Sequence, residues 1–269
     1  MNETTLSDLK IWFTEYVHTF NFSNPDLQRN IDLKEEHTKQ VCYDIILIGK
    51  ELGLNDNELR FSEIIALFHD LGRFEQYARY RTFLDSKSED HAELGIKTLQ
   101  KHNVLNQFDD ELKNLILSSI RYHNQPALPK NESQTCLFYT KLLRDADKLD
   151  IWRVVIDYYN RKNGKKNDTI SLDLPDTPGI SEKVYWDIIH KKTVNIKDVN
   201  NINDLKLLQT GWIFDINFKP TADYIKSHRY LEKMREVIPE SNEIEEIFKV
   251  IHTFCVELES IPLPDNVTG

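Results

Sequence analysis

Apolar side chains recur at spacings of three and four residues along most of the chain, a pattern typical of amphipathic helices. Near the start, Leu6, Leu9, Phe13 and Val17 fall on one face of a helix predicted over residues 5–20. The same periodicity predicts helices over residues 35–52, 56–70, 88–102, 109–122, 133–150 and 151–162 (as one helix or a pair), 181–191, 203–215, 220–238 and 241–260. We therefore expect an all-α fold.

Two segments lack a clean helical period. Residues 73–87 mix Arg, Tyr and Phe irregularly, and residues 161–180 are polar and basic and then rich in Pro. We interpret the second segment as a loop and not as a domain boundary. The chain has only 8 Gly and 9 Pro, fewer turn residues than a β-sandwich or barrel of this length usually needs. These features favour a single all-α domain over residues 1–269.

The composition is that of an ordinary globular protein with an acidic surface. Hydrophobic residues make up 40% and charged residues 29%, and the net charge is −10. Such a chain should repel bulk nucleic acid and anionic membranes. An anionic substrate would have to be attracted locally, by a metal ion or by a few Arg and Lys side chains. We expect no membrane partner, because no apolar run approaches the roughly 18 residues of a membrane-spanning helix.

The cysteines and the first residues of the chain indicate the cellular compartment in which we expect the protein. The three cysteines, Cys42, Cys136 and Cys255, are widely spaced and form no CxxC motif. This argues against a disulfide framework or a zinc finger and favours a reducing environment. The first residues have neither the basic nor the apolar region of a signal peptide. We expect a cytoplasmic location.

Histidine and aspartate residues fall at or near the ends of successive predicted helices. Imidazole and carboxylate groups together suit divalent metals of hard to borderline character, and no cysteine lies among these residues, which argues against a thiolate site. A helix bundle can gather such positions into one pocket. The candidate ligands are His37, His69, Asp70, His91, His123 and Asp147.

The order His…His-Asp…Asp resembles that of the HD superfamily of metal-dependent phosphohydrolases. Residues 66–73 (ALFHDLGR) look like its defining HD-x-G-(K/R) element, and residues 146–149 (ADKL) are similar to the segment around its distal aspartate. The resemblance covers residues 30–155, as a metal-binding core within an HD-type helical bundle. The additional C-terminal helices of residues 160–269 match no motif, and we expect them to form a helical cap or extension.

The resemblance also implies a division of the ligands. His37, His69, Asp70 and Asp147 would hold one divalent ion, and His91 and His123 fall where the dinuclear members of the family place two further ligands. Asp145 is the rival to Asp147, and His91 and His123 could instead be ordinary residues at helix ends. The ions would be two in number and could be Mn, Fe, Ni, Zn or Mg.

Three residues are candidates for catalysis on this interpretation. Asp70 would bridge the two ions and orient the nucleophile, while Arg73 and Lys148, which lie inside the two motifs, would contact a phosphate group.

The resemblance implies hydrolysis of a phosphate ester or phosphodiester, on a nucleotide-like small molecule, by metal-activated water. An alternative is a dinuclear-iron oxygenase of the HD fold that acts on a small alcohol or phosphonate. A third possibility is a non-catalytic sensor that retains the fold. The sequence leaves open the substrate, the choice between monoester and diester, the metal and the oligomeric state.

Overall fold

The computed structural model describes residues 3–161 and 167–259, and within these ranges it contains helices and no β-strand. The α-helices are α1 (Glu3–His18), α2 (Pro25–Glu51), α3 (Asp56–Phe68), α4 (Leu71–Tyr80), α5 (His91–Lys101), α6 (Asp110–His123), α7 (Gln134–Asn160), α8 (Asp168–Ser171), α9 (Glu182–Ile189), α10 (Ile202–Gly211), α11 (Lys219–Ser227), α12 (Tyr230–Glu236) and α13 (Asn242–Glu259). The prediction of an all-α fold is confirmed. No helix in the described part of the chain is both long enough and apolar enough to cross a membrane.

The chain divides into two compact units. The first unit extends to Asp147 and the second begins at Lys148, so the boundary falls inside α7. In the first unit, α2 packs against α3 and α4 packs against α5. Its core contains the fully buried rings of Phe13, Phe68 and Phe74. The predicted single domain, with a core over residues 30–155 and an extension over residues 160–269, stays a prediction.

The core of the second unit lies around Trp152, a fully buried residue of α7. Its indole N–H donates a hydrogen bond to the main-chain carbonyl of Gln209 in α10, at 2.9 Å. The buried indole therefore has the partner that its polar atom needs. In the same unit, α9 packs against α13.

The expected start of the second helix at residue 35 is wrong, because α2 begins ten residues earlier. Asn24 caps the helix by accepting a hydrogen bond from the Asp26 N–H, and Pro25 occupies the first turn, where its fixed φ and missing N–H are tolerated. The polar run that follows lies largely at the surface, and only a few of its residues, such as Ile31, are buried. His37 therefore lies in the middle of a long helix and not in a first turn.

The expected irregular segment over residues 73–87 is also wrong in its first half. After a short turn at His69 and Asp70, the chain continues as α4, which ends at Arg81 in a left-handed conformation (φ 57°). A short 3-10 helix over Asp85–Lys87 follows and leads to α5. In the predicted loop over residues 161–180, α8 forms a single helical turn, and residues 162–166 lie outside the described part of the chain.

Candidate metal centre

The first unit brings all six candidate ligands together at one place. Five of them are buried to at least 94%, and the Asp147 side chain is about one-fifth exposed. His37 and Asp147 come from the middles of α2 and α7, and the other four come from the ends of shorter helices. The expectation that every ligand lies at a helix end is therefore wrong for these two. The buried residues are His37, His69, Asp70, His91 and His123.

Asp70 lies at the centre of the cluster, and its two oxygens face different histidines. Oδ2 is 3.5 Å from Nε2 of His37 and 3.7 Å from Nε2 of His69. Oδ1 is 3.3 Å from Nε2 of His91. One carboxylate can therefore contribute to two neighbouring groups of ligands. Compact sets of potential metal ligands indeed occur on both sides of Asp70, with His37 and His69 on one side and His91 and His123 on the other.

Asp147 completes the first of these groups. Its Oδ1 atom is 3.1 Å from Nε2 of His37 and 3.7 Å from Nε2 of His69. Its rival Asp145 is fully buried two residues earlier in α7. Because successive helical residues are rotated by about 100°, residues two apart point to nearly opposite sides of a helix. The structure thus brings Asp147 to the histidines, as the sequence motif predicts.

The histidines present Nε2 to the centre because other atoms occupy Nδ1. Nδ1 of His69 lies 2.7 Å from the carbonyl of Ala66, and Nδ1 of His123 lies 2.6 Å from the carbonyl of Ile120. A carbonyl oxygen can only accept, so each Nδ1 carries the proton and donates it. Each Nε2 then has a free lone pair, as a metal ligand requires.

This arrangement of lone pairs is the test of whether the residues fit metal ions. Nε2 of His91 and Nε2 of His123 are 3.1 Å apart. The Nε2 atom of His69 is buried and makes no hydrogen bond within the described residues. Buried polar atoms left in this way are costly unless a partner satisfies them. Divalent cations bound here would satisfy these atoms, because the mixture of imidazole and carboxylate is the donor set of many divalent metals.

Electrostatics hold the carboxylates charged and the two histidines of the second group neutral. Burial raises the pKa of Asp70, but the cations Lys34, whose Nζ is 2.6 Å from Oδ2, and Arg73 hold that pKa well below its usual range. Burial lowers the pKa of His123 to about 3, helped by the neighbouring His91. Burial also lowers the pKa of His91. Ionised carboxylates and neutral imidazoles are the forms that bind metals.

The two candidate substrate contacts have partners of their own. The Arg73 guanidinium lies between two carboxylates, with Nε 3.4 Å from Asp70 Oδ1 and Nη1 2.9 Å from Asp85 Oδ1. Lys148 belongs to the second unit, where its Nζ is 2.7 Å from Asp215 Oδ2. Their contacts with a phosphate group stay predictions.

Sequence reasoning missed three residues that support the cluster. Lys34 precedes His37 by three residues and so shares its helix face, a spacing that could have revealed it. Asp85 lies 2.8 Å from Nδ1 of His91 but belongs to a segment without periodicity. Arg144 donates hydrogen bonds to the carbonyls of His123 and Gln125, at 2.9 and 2.6 Å, and so fixes the end of α6.

Comparison with known proteins agrees with this geometry. Residues 35–152 match the family model described as HD domain, and the matched segment contains all six clustered residues. No curated protein and no solved structure gives a significant match to the chain. Proteins of the HD family are generally metal-dependent phosphohydrolases. The matching segment, the all-α fold and the His/Asp clusters together identify the protein as one that carries an HD domain over residues 35–152.

Proposed function

We propose that the protein is a metal-dependent hydrolase of a phosphate ester or phosphodiester, with a nucleotide-like small molecule as substrate. The observation that carries the proposal is the position of Asp70, whose Oδ2 lies within 3.7 Å of Nε2 of His37 and of His69 and whose Oδ1 lies 3.3 Å from Nε2 of His91. This is the arrangement needed for one carboxylate to hold two ions. The nucleotide-like character of the substrate rests on the family resemblance alone.

In this proposal the ligands divide as the family resemblance implies. His37, His69, Asp70 and Asp147 would hold one divalent ion, and Asp70, His91 and His123 would hold the second. When bound, such ions polarise a phosphoryl oxygen and lower the pKa of a water molecule, so that hydroxide is available near neutral pH. The low pKa of Asp70 keeps its carboxylate ionised, as a bridging and orienting role demands.

The positive charge near the cluster supports an anionic substrate. Lys34 and Arg73 both lie against Asp70, in a chain whose net charge is −10. The Lys34 and Arg73 side chains are 17% and 16% exposed, so neither cation is fully sealed from solvent. We propose that Lys34 binds a phosphate oxygen of the substrate, together with the Arg73 contact predicted from the motif. Guanidinium and ammonium groups are the usual protein partners of phosphate.

The test is a panel of nucleotides, phosphomonoesters and phosphodiesters incubated with the protein and Mn²⁺, with release of phosphate or nucleoside measured. We expect turnover by the wild type and its loss in Asp70→Ala. Glu36→Ala serves as the matched control, because it removes an exposed carboxylate next to His37 and should keep full activity. Equal turnover by wild type and Asp70→Ala would contradict the proposal.

The dinuclear-iron oxygenase is the second outcome that the same experiment can reveal. Four imidazoles and two carboxylates without a thiolate also suit iron. If metal-loaded protein hydrolyses nothing in the panel, but iron-loaded protein consumes dioxygen with a small alcohol or phosphonate, the oxygenase replaces the hydrolase.

A further inference from the structure

The histidines of the cluster differ in the group that accepts the hydrogen bond from Nδ1. His69 directly follows α3 and His123 ends α6, so each has a carbonyl of the preceding turn within reach, from Ala66 and Ile120 respectively. His91 is the first residue of α5 and has no preceding helical turn. It therefore needs an acceptor from another part of the chain.

Asp85 supplies that acceptor from the 3-10 helix before α5. Its Oδ2 atom is 2.8 Å from Nδ1 of His91. An ionised carboxylate only accepts hydrogen bonds, so Nδ1 of His91 carries the proton and Nε2 keeps its lone pair toward Asp70 and His123. Carboxylate–histidine pairs of this kind orient metal-binding imidazoles and raise their basicity.

The Asp85 carboxylate is itself fixed through its other oxygen. Oδ1 accepts hydrogen bonds from Arg73 Nη1 at 2.9 Å and from Gln76 Nε2 at 2.8 Å. Gln76 is fully buried in α4, and its amide nitrogen also lies 2.8 Å from Ser88 Oγ and from the carbonyl of Glu89. These bonds tie the connection between α4 and α5 to a rigid helix, so Asp85 is held in place before any ion binds.

Asp90 is another carboxylate close to His91, but both of its oxygens accept hydrogen bonds from other groups. Its Oδ1 atom caps α5 by accepting from the Glu93 N–H at 3.0 Å, and its Oδ2 atom accepts from Asn124 Nδ2 at 3.1 Å. In the described structure, the acceptor within hydrogen-bond distance of the His91 Nδ1 proton is Asp85.

We propose that Asp85 is a positioning residue that fixes the tautomer and orientation of His91 and thereby sets the affinity for the second ion. Arg73 links this carboxylate to Asp70, and so couples the supporting carboxylate to the bridging one. The inference rests on the proposed dinuclear site and adds a residue that neither the motif nor the family match assigns. It concerns binding and needs no assumption about the substrate.

The experiment compares wild type, Asp85→Ala, Asp85→Asn and the control Glu89→Gln, which removes a carboxylate of the same connection that bonds Tyr80 and Arg79 instead of a histidine. Chelator-treated protein is titrated with Mn²⁺ by calorimetry, with free Mn²⁺ followed by electron paramagnetic resonance. We expect Asp85→Ala to weaken one of two binding steps by roughly ten- to hundredfold. Asp85→Asn should not restore wild-type affinity, because its single amide oxygen cannot accept from His91 and from the pair Arg73 and Gln76 at the same time. Glu89→Gln should match the wild type.

A second readout is independent of metal. Nitrogen-15 NMR of the histidine side chains in metal-free protein should show His91 protonated at Nδ1 in the wild type, and the proton redistributed between its two nitrogens in Asp85→Ala. An unchanged His91 tautomer in Asp85→Ala, or two unaltered Mn²⁺ steps, would overturn the role of Asp85. If wild type bound no Mn²⁺ at all, the dinuclear site itself would fail, and this role of Asp85 with it, while the NMR result would still show whether Asp85 fixes the His91 tautomer.

Discussion

Each histidine whose contacts define its tautomer uses its two ring nitrogens for different purposes. Nδ1 of His69, His91 and His123 donates to an oxygen that cannot donate in return, and Nε2 faces the carboxylates of the cluster. A buried histidine that served packing alone would be expected to satisfy both nitrogens. The one-sided use of these rings is the residue-level reason for assigning the cluster to metal ions.

Lys34 is the residue for which we predict the clearest effect on substrate. Replacing it by Met keeps the length of the side chain and removes the charge. A charge-assisted hydrogen bond contributes about 1.5–3 kcal/mol, so kcat/KM for a phosphate substrate should fall roughly ten- to hundredfold. Steady-state kinetics with the best substrate of the panel measure this.

Lys39→Met is the matched control for that variant. Lys39 lies in the same helix, its side chain is 59% exposed, and it pairs with Glu35 instead of Asp70. It should retain wild-type kcat/KM. Equal kinetics in the Lys34 and Lys39 variants would show that Lys34 does not bind substrate.

The lowered pKa of His123 predicts how the metal-free protein responds to acid. In the unfolded chain a histidine has a pKa of about 6.5 and becomes protonated below that pH. In the folded protein His123 has a pKa of about 3 and stays neutral over the same pH range. The unfolded state then binds more protons, so the free energy of unfolding falls as the pH falls. One such histidine lowers the free energy of unfolding by about 2 kcal/mol between pH 7 and pH 5.

Urea unfolding in the presence of a chelator at pH 7, 6 and 5 tests this expectation. Over that range the free energy of unfolding of His123→Gln should fall by about 2 kcal/mol less than that of the wild type. His18→Gln, which removes an exposed histidine, should follow the wild type. Asp70 and Asp147, whose pKa values are lowered, add their losses only nearer pH 4 and below. Parallel profiles for wild type and His123→Gln would contradict the assignment.

At the scale of elements, the approach of α4 to α5 determines where His91 lies. A Cβ atom on Gly72 would lie 2.1 Å from the carbonyl oxygen of His91 and 2.6 Å from the Gly95 nitrogen. Both are main-chain atoms and cannot move aside without moving α5. Glycine at position 72 therefore allows the helix that begins with His91 to lie against the helix that follows Asp70.

Gly72→Ala should push these helices apart. We expect a loss of roughly 1–3 kcal/mol in the free energy of unfolding, which is typical of overpacking, together with weaker binding of the second Mn²⁺ ion. Gly211→Ala is the control, because its new Cβ would meet Ile188 at an ordinary 3.6 Å. Urea unfolding and Mn²⁺ titration measure both effects. A Gly72→Ala protein as stable as Gly211→Ala would show that the close approach is not needed.

The elements also show what sequence patterns can and cannot predict. The apolar stripe of Leu6, Leu9, Phe13 and Val17 is buried as expected, because periodicity reports burial directly. The apolar periodicity does not predict the start of α2, because this largely exposed part of the helix carries too few apolar residues to show a period. Residues 220–238 form two helices, α11 and α12, because Arg229 takes a left-handed conformation (φ 55°) that no glycine marks.

In the site, too, local sequence patterns predict some residues and not others. The six clustered residues could be selected from the sequence because a motif fixes their types and order. Asp85 could not, since its contact with His91 depends on the path of a connection held by Gln76 and not on any spacing. Partners that act through tertiary contacts leave no local pattern in a single sequence.

At the scale of the whole molecule, the acidic character of the chain makes local positive charge important. With a net charge of −10, the protein should disfavour anionic partners except where cations concentrate. Lys34 and Arg73 provide such charge beside Asp70 in the first unit. The second unit, from Lys148 onward, has its own core around Trp152, and the expectation that its helices cap the site stays a prediction.

The number of divalent ions bound per chain tests the central claim most directly. Protein treated with a chelator, reconstituted with Mn²⁺ and freed of excess metal would be analysed by mass spectrometry of the metal, for wild type, Asp70→Ala and Glu36→Ala. The account predicts two ions per chain in the wild type and in Glu36→Ala, and fewer than one in Asp70→Ala, because Asp70 serves both ions. A wild type that retains no ion, or an Asp70→Ala variant that retains two, would contradict it.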